Sequence, residues 1–514
     1  MRIHSMKNDK SSDEPHKLRL KRLGIETGQE NVIFMRSDCH ICRAEGLMTY
    51  ARVLVRGPQG EIVATLNHVI MDGLLPAGEA GLSEQAWKSL GAKEGDPIQV
   101  RHLDPLTSLG KVRAKIFGHR LGSSDMTKII DDVVSGRYSN VHLAGFITAC
   151  ASHGLDKSET VALTVSMIGA GKQIDWGGSV IVDKHCIGGL PGNRTTPIIV
   201  AIVSACGLIM PKTSSRAITS PAGTADVMET LAPVRLDLSA MRRVVDAEGG
   251  CVVWGGAVDL SPADDILIRV ERALEVDSEG QLVASILSKK IAAGATHLVL
   301  DLPVGPTAKL RSKEDADKLE NLLYETAVNF GLATRIIQSD GSQPVGSGIG
   351  PALEARDVLA VLTGAKAAPQ DLRQRSLALS GALLELGGAA EEGSGVQLAA
   401  STLDSGRVWS KFQAICEAQG GLREPPIADY QVDIAASIAG RVTGIDNRRL
   451  STLAKLAGAP VSPAAGIKFQ VHLGQKVQTG EALMTIHAES KGELDYALDY
   501  NKSVPWIVEI EGEI

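Results

Sequence analysis

Residues 183–229 constrain this chain most, because they repeat one arrangement twice. A strand-like run leads into a turn rich in glycine and hydroxyls, and a helix-like pattern follows. The runs are residues 179–182 and 207–210, and the apolar stretch 197–210 separates the two turns. The first turn carries Lys184, His185, Gly188, Gly189, Gly192, Arg194, Thr195 and Thr196. The second carries Ser214, Ser215, Arg216, Ala217, Ile218, Thr219, Ser220, Gly223 and Thr224. Glycine lets the backbone approach a ligand with its N–H groups aimed at it, and Lys, Ser and Thr add donors. Two such turns side by side make an oxyanion pocket, most simply for phosphate.

The rest of the chain decides what frame holds that pocket. From about residue 177 to 425, apolar runs (251–254, 297–302, 334–338) alternate with helical patterns. This predicts a mostly parallel sheet with helices on its faces and ligands at the carboxyl ends of the strands. At 514 residues the chain exceeds one domain. Only 3% of it is aromatic, against 44% apolar and 54 glycines, which suits Ala/Val/Ile/Leu layers rather than a β-sandwich. Residues 1–16 read as a flexible tail and 17–103 as a β-rich domain with short strands near 30–35, 51–56, 61–66 and 97–101. Residues 104–176 read as a helical domain, with Ser124 and either Asp156 or Ser158 as caps, joined by a returning segment at about 262–293. Residues 430–514 read as a C-terminal α+β, hammerhead-like domain. Its Gly-x-x-Val rhythm resembles a lipoyl or biotinyl carrier without a carrier lysine, so its expected role is structural.

Composition also excludes classes. A net charge of -7 offers no basic face for nucleic acid. No apolar run reaches the roughly 20 residues that span a bilayer, and the first twenty residues lack a signal-peptide core, so the expected location is cytoplasmic. The seven cysteines are scattered and read as reduced. Cys39-His-Ile-Cys42 reads as an incidental pair in a turn, a metal or redox site being the alternative. No metal site is expected elsewhere.

Five motifs, in order, carry a family resemblance. Asp183-Lys-His-Cys-Ile-Gly-Gly, Ser214-Ser-Arg-Ala-Ile-Thr-Ser-Pro-Ala-Gly-Thr, Ala284-Ser-Ile-Leu-Ser-Lys-Lys, Val304-Gly-Pro-Thr-Ala-Lys and Gly346-Ser-Gly-Ile-Gly-Pro-Ala-Leu-Glu resemble the thymidine/pyrimidine-nucleoside phosphorylase family over about residues 104–505. The N-terminal extension resembles the family's longer branch, which includes AMP phosphorylases.

The resemblance implies phosphorolysis of a nucleoside or nucleoside 5′-monophosphate. Inorganic phosphate is the co-substrate, no cofactor takes part, and the protein forms a homodimer or a larger homo-oligomer. It implies that Lys184, Gly188, Gly189, Ser214 and Thr224 hold phosphate, with a hydroxyl from Thr195 or Thr196. His185 would face the leaving base, and Lys289, with Arg269 or Arg272, would read a pyrimidine edge. In the nucleotide branch Asp277 would donate the proton, residues 215–220 would form the binding loop, and Ser285 and Lys309 would add contacts. Asp226 and Glu229 are expected only to cap a helix. Two departures from the short branch stand out. Cys186 replaces a usual serine, and Arg194 with the extra hydroxyls suits a second anion, such as a 5′-phosphate. A phosphoribosyltransferase and a non-catalytic nucleotide-binding protein are the competing expectations.

Overall fold

The computed structural model describes residues 17–71, 73–217, 220–276 and 278–512. Asp277, Ile218 and Thr219, each expected at the site, lie outside the described residues, as does the tail 1–16. The chain divides into two compact units at His153/Gly154.

The first unit opens with a closed barrel of six strands, β1 (Leu18–Arg22), β2 (Val32–Arg36), β3 (Arg52–Gly57), β4 (Gly60–Val69), β5 (Glu79–Leu82) and β6 (Pro97–His102), in the order β1-β5-β2-β4-β3-β6. Alternate residues such as Val53 and Val55 point inward and are fully buried. Closure removes the exposed edges a short open sheet would present. Two short helices, α1 (His40–Glu45) and α2 (Glu84–Leu90), accompany it. Ser83 caps α2, its Oγ accepting from the Ala86 N–H at 3.3 Å. Helices α3 (Leu109–Ile116), α4 (Ser123–Val134) and α5 (Asn140–His153) complete the unit. The cap of α4 is Gly122 rather than the expected Ser124, because the helix starts two residues earlier.

The second unit begins with α6 (Lys157–Gly169), where Asp156 makes the expected cap as part of a capping box. Strands β7 (Val182–Cys186), β8 (Met210–Ser214), β9 (Gly250–Trp254), β10 (His297–Val304) and β11 (Ala333–Asp340) follow. They pair in parallel as β11-β10-β7 and β8-β9, and an Ile181–Ile209 bridge joins the two groups. The expected parallel sheet is therefore present. Its connecting helices are α7 (Thr196–Ala205), α8 (Thr224–Glu229), α9 (Leu238–Glu248), α10 (Pro262–Leu274), α11 (Glu279–Ala292) and α12 (Lys313–Val328). The apolar stretch of the sequence becomes α7, hydrophobic all round and buried from Thr196 to Ser204. Helix α11 packs along α6 so closely that a Cβ on Gly280 would lie 2.6 Å from Leu155 Cβ.

A short β12 (Gly348–Ile349) leads to α13 (Pro351–Leu362), α14 (Gln370–Leu386), α15 (Gly395–Asp404) and α16 (Arg407–Gln419). Helices α7, α14 and α16 share one core with β7, while α11 and α12 share another with β10, so both faces of the sheet are covered. The C-terminal part holds β13 (Tyr430–Ala435), β14 (Gly440–Ile445), α17 (Asn447–Leu456), β15 (Gly466–Phe469), β16 (Lys476–Val477), β17 (Ala482–Ala488), α18 (Lys491–Ser503) and β18 (Val508–Glu511). Its strands form two small sheets, one of which includes β12.

One expectation fails in an instructive way. The sequence pattern puts Lys184 and His185 in a turn, and Ser214 likewise. The strands start and end later than the apolar runs predict, so all three are strand residues. Charged side chains inside β7 and β8 hide the strands from a hydrophobicity pattern.

Candidate active site

Strand alternation sorts the residues of β7 onto two faces. Lys184 and Cys186 share one; Asp183 and His185 share the other. Beyond Cys186 the chain turns through Gly188 and Gly189, both in the left-handed region at φ 90° and 81°. A Cβ on Gly189 would fall 2.4 Å from the Lys309 amide nitrogen, so only glycine lets this loop pass Lys309.

On the first face, Lys184 is 2% exposed and its Nζ donates to Thr195 Oγ1 at 2.8 Å. No carboxylate pairs with it among the described residues. Burial lowers its pKa, Cys186 and Asp301 act against that, and the charges of Arg375 and Arg194 add to the lowering. The neighbouring thiol of Cys186 is pushed up to about 11 by burial and by Asp301. It stays protonated at neutral pH and accepts from Asn193 Nδ2 at 3.5 Å. Ser214, at the carboxyl end of adjacent β8, has a buried Oγ without a hydrogen-bond partner. A buried ammonium lacking a counter-charge and a buried hydroxyl lacking a partner are both costly. An oxyanion bound at the strand ends would relieve both.

On the second face, Asp183 accepts ion pairs from Lys212 and Lys290, each at 3.0 Å, and all three side chains are buried. Burial alone would raise the Asp183 pKa; the two ammoniums outweigh it and hold the carboxyl below its usual range. Burial, with Lys212 beside it, brings Lys290 down to about 7 against the pull of Asp183. His185 sits half-buried above this cluster. Burial first, then Lys290, Lys212, Lys289 and Lys184, keep its pKa well below 6.5, so the imidazole is neutral at pH 7. On α11, Ser285 and Lys289 lie four residues apart and share a helix face. Lys289 pairs with buried Asp264 at 2.7 Å, while Arg269 is half-buried and Arg272 exposed.

The second turn departs from expectation. Arg194 does not offer its guanidinium to a ligand. Its Nε donates to Glu354 at 2.7 Å, Nη1 to Thr224 Oγ1 at 2.6 Å and Nη2 to the Ala222 carbonyl at 2.9 Å. Arg216 is likewise taken: it pairs with Glu229 at 2.6 Å and Asp226 at 3.0 Å, and its guanidinium lies 5.2 Å from the Trp254 ring centroid. Glu229 ends α8 instead of opening it and serves as an ion-pair partner, not a cap. Asp226 does cap, accepting from the Ala217 and Gly223 amides at 2.7 and 2.9 Å. Ser220 Oγ donates to the Ala222 carbonyl at 2.9 Å, and Ser215 stays exposed.

Sequence reasoning passed over Asp183, Lys212, Asn193, Asp301 and Arg375. Arg375, on α14, donates Nη2 to the Asp340 carbonyl at the end of β11, at 2.7 Å, and its Nη1 is buried without a partner. The one available signal was Lys212, a lysine directly after the apolar run 208–211. Among the described residues no cluster of His, Cys, Asp or Glu could hold a metal ion, and no helix is long and apolar enough to cross a membrane.

Comparison with known proteins adds independent findings. Three family models match: "Glycosyl transferase family, helical bundle domain" over residues 110–171, "Glycosyl transferase family, a/b domain" over 178–409 and "Pyrimidine nucleoside phosphorylase C-terminal domain" over 441–504. A protein described as "Putative thymidine phosphorylase" from Polaromonas sp. is 60% identical over 96% of each chain. "Putative thymidine phosphorylase 1" of Acidovorax sp. is 58% identical over 100% of both. Anthranilate phosphoribosyltransferase from Thermus thermophilus matches 60% of this chain and 98% of its own, with a TM-score of 0.49 and 20% identity.

Proposed function

The chain belongs to the thymidine/pyrimidine-nucleoside phosphorylase family, and from that premise we propose that it is a pentosyltransferase that cleaves thymidine or a related pyrimidine nucleoside with inorganic phosphate. A phosphate oxygen forms a bond to C1′ as the C1′–N bond breaks. The products are the free base and a pentose 1-phosphate. The observation that carries this reading is the buried, carboxylate-free ammonium of Lys184 beside the unpartnered Ser214 hydroxyl.

Each group has a task that its environment suits. Lys184 and Ser214, with Thr195 and the amides of the Gly188–Gly189 turn, hold the phosphate and aim one oxygen at C1′. The bound dianion also offsets oxocarbenium charge on the sugar. Negative charge develops on the leaving base. His185, neutral over the working pH range, donates a ring N–H to it without having to be protonated first. Lys289, with Ser285 one turn earlier, lies on the helix that borders this face. A nucleotide substrate would need cations for a 5′-phosphate. Arg194 and Arg216, the residues expected to supply them, are already paired, which favours a nucleoside. Asp277, expected as the nucleotide-branch proton donor, keeps only that expectation, together with the 215–220 loop and Lys309.

The test is to incubate the protein with thymidine, uridine, AMP, CMP and UMP, with and without phosphate, and to measure free base. Phosphate-dependent base from thymidine or uridine is expected. Base from AMP alone would move the assignment to the nucleotide branch. No base from any of them would end the phosphorylase reading.

A further inference from the structure

The Cys39–Cys42 pair lies outside everything used above. The sequence reads it as a turn, but the structure places it on the opening of α1, in the barrel unit. Cys39 is the cap residue, and the Cys42 N–H donates to its sulfur at 3.2 Å. Serine, threonine, aspartate or asparagine would cap better than a thiol. Cys39 sits at the extended cap position and Cys42 three residues on, and the Cys42 N–H bond to the Cys39 sulfur folds the first across the opening turn, so a single turn separates the two thiols. Cys39 and Cys42 are 8% and 4% exposed, and Ser37, Asp38 and His40 beside them are exposed, so the pair lies just beneath the surface.

The electrostatics follow this geometry. The Cys42 hydrogen bond lowers the Cys39 pKa to about 6 against burial, with the Cys42 and Ile41 amides and His40 helping. Cys42 is raised, by that same hydrogen bond and by burial. At neutral pH one sulfur is a thiolate and its neighbour a thiol, the arrangement that thiol exchange requires. Three other cysteines differ. Cys251 and Cys416 are buried and pushed up to about 12, and Cys186 to about 11.

We propose that Cys39 and Cys42 form a reversible dithiol–disulfide site that exchanges with low-molecular-weight thiols and disulfides, Cys39 being the attacking sulfur. The Cys39 thiolate attacks one sulfur of a small disulfide, forming a mixed disulfide and releasing one small thiol. Cys42 then loses its proton and attacks the Cys39 sulfur, expelling the second small thiol. Overall the two protein thiols are oxidised to one disulfide and the small disulfide is reduced to two thiols.

The experiment equilibrates the full chain in buffers of reduced and oxidised glutathione, quenches with acid, and alkylates the remaining thiols in denaturant. The reduced chain takes up seven labels, one per cysteine. The oxidised chain should take up two fewer, with a Cys39–Cys42 cross-link in the peptide map and full recovery on reduction. Under native conditions near pH 7, iodoacetamide should modify Cys39 before any other cysteine. Cys42→Ser should retain one glutathione on Cys39, whereas Cys39→Ser should retain none on Cys42. Loss of no labels in oxidised glutathione would overturn the proposal, as would loss at other positions or prior alkylation of Cys42. The wild-type measurements decide the matter even if a variant fails to fold.

Discussion

The barrel and the parallel sheet solve the same burial problem with different chemistry. Inside the barrel the buried polar side chains are Thr65 and Ser83 among the described residues, and the rest of its core is apolar. The parallel sheet instead buries Asp183, Lys184, Lys212, Lys290 and Asp301 among its valines and leucines. Buried charge is expensive unless it is paired. The barrel strands bury no charged side chain among the described residues, and the ionisable pair that joins their core, Cys39 and Cys42, belongs to α1. Among the described residues Lys184 has no ion-pair partner, Asp301 only opposing the lowering of its pKa, while Asp183 is shared by two lysines. That imbalance of positive charge at the carboxyl ends of β7 and β8 is what an anionic substrate would complete. A core can therefore be read for function by asking which of its charges stay unbalanced.

The sharpest way to break this comparison is Lys184→Ala. It should lower phosphorolytic kcat/KM by at least about 100-fold, with Tm unchanged or higher, because the variant no longer buries an uncompensated ammonium. Loss of Tm with activity retained would place Lys184 among ordinary core residues. Asp183→Asn should come next, destabilising by about 3–5 kcal/mol because Lys212 and Lys290 lose their shared carboxylate. Leu66→Ala in the barrel should cost about 2–5 kcal/mol through its cavity, but without changing kcat/KM. Denaturant midpoints and initial rates on both variants check the pair.

Smaller effects sharpen the contrast. Lys290 titrates at about 7 in the folded chain against 10.5 for a free lysine. Between those values the unfolded chain binds more protons, so stability should rise as pH increases from 7 toward 10. Lys290→Met should flatten that rise and leave stability at pH 7 equal or greater; a rise that persists in the variant would place its source elsewhere. Arg375→Lys should raise the KM for phosphate by roughly tenfold, the loss of about one charged hydrogen bond, at little cost in Tm. Arg194→Lys should do the reverse. Smallest of all, Glu61→Gln breaks an exposed barrel pair with Arg56, 2.8 Å long, and should shift stability by less than about 1 kcal/mol.

The architecture was largely legible because its signals are local. The alternation along 297–302 and 334–338 marks β10 and β11, and the Asp156 cap marks the start of α6. Strand β1 was not legible: its Leu-Arg-Leu-Lys-Arg reads as charged chain until the barrel buries both leucines. The partners that the expected site residues take were not legible. Lys184 and His185 looked like turn residues because β7 carries charged side chains, and the partners that let Asp183 be buried beside them, Lys212 and Lys290, lie 29 and 107 positions from it. Arg194 looked like an anion ligand because its partner, Glu354, is 160 positions away. Pairings at that distance leave no periodic trace. Asp277, Ile218 and Thr219 lie outside the described residues, so their roles stay expectations.

The engagement of Arg194 has a consequence beyond its own position. One planar group fastens the first turn, through its own backbone, to Thr224 and Ala222 of the second and to Glu354 of α13. The two walls of the pocket are riveted together. A ligand that orders one wall has already ordered the other, so phosphate and nucleoside should each bind more tightly once the other is present, by one and the same factor. Removing the rivet would leave two independent half-sites whose affinities no longer depend on each other.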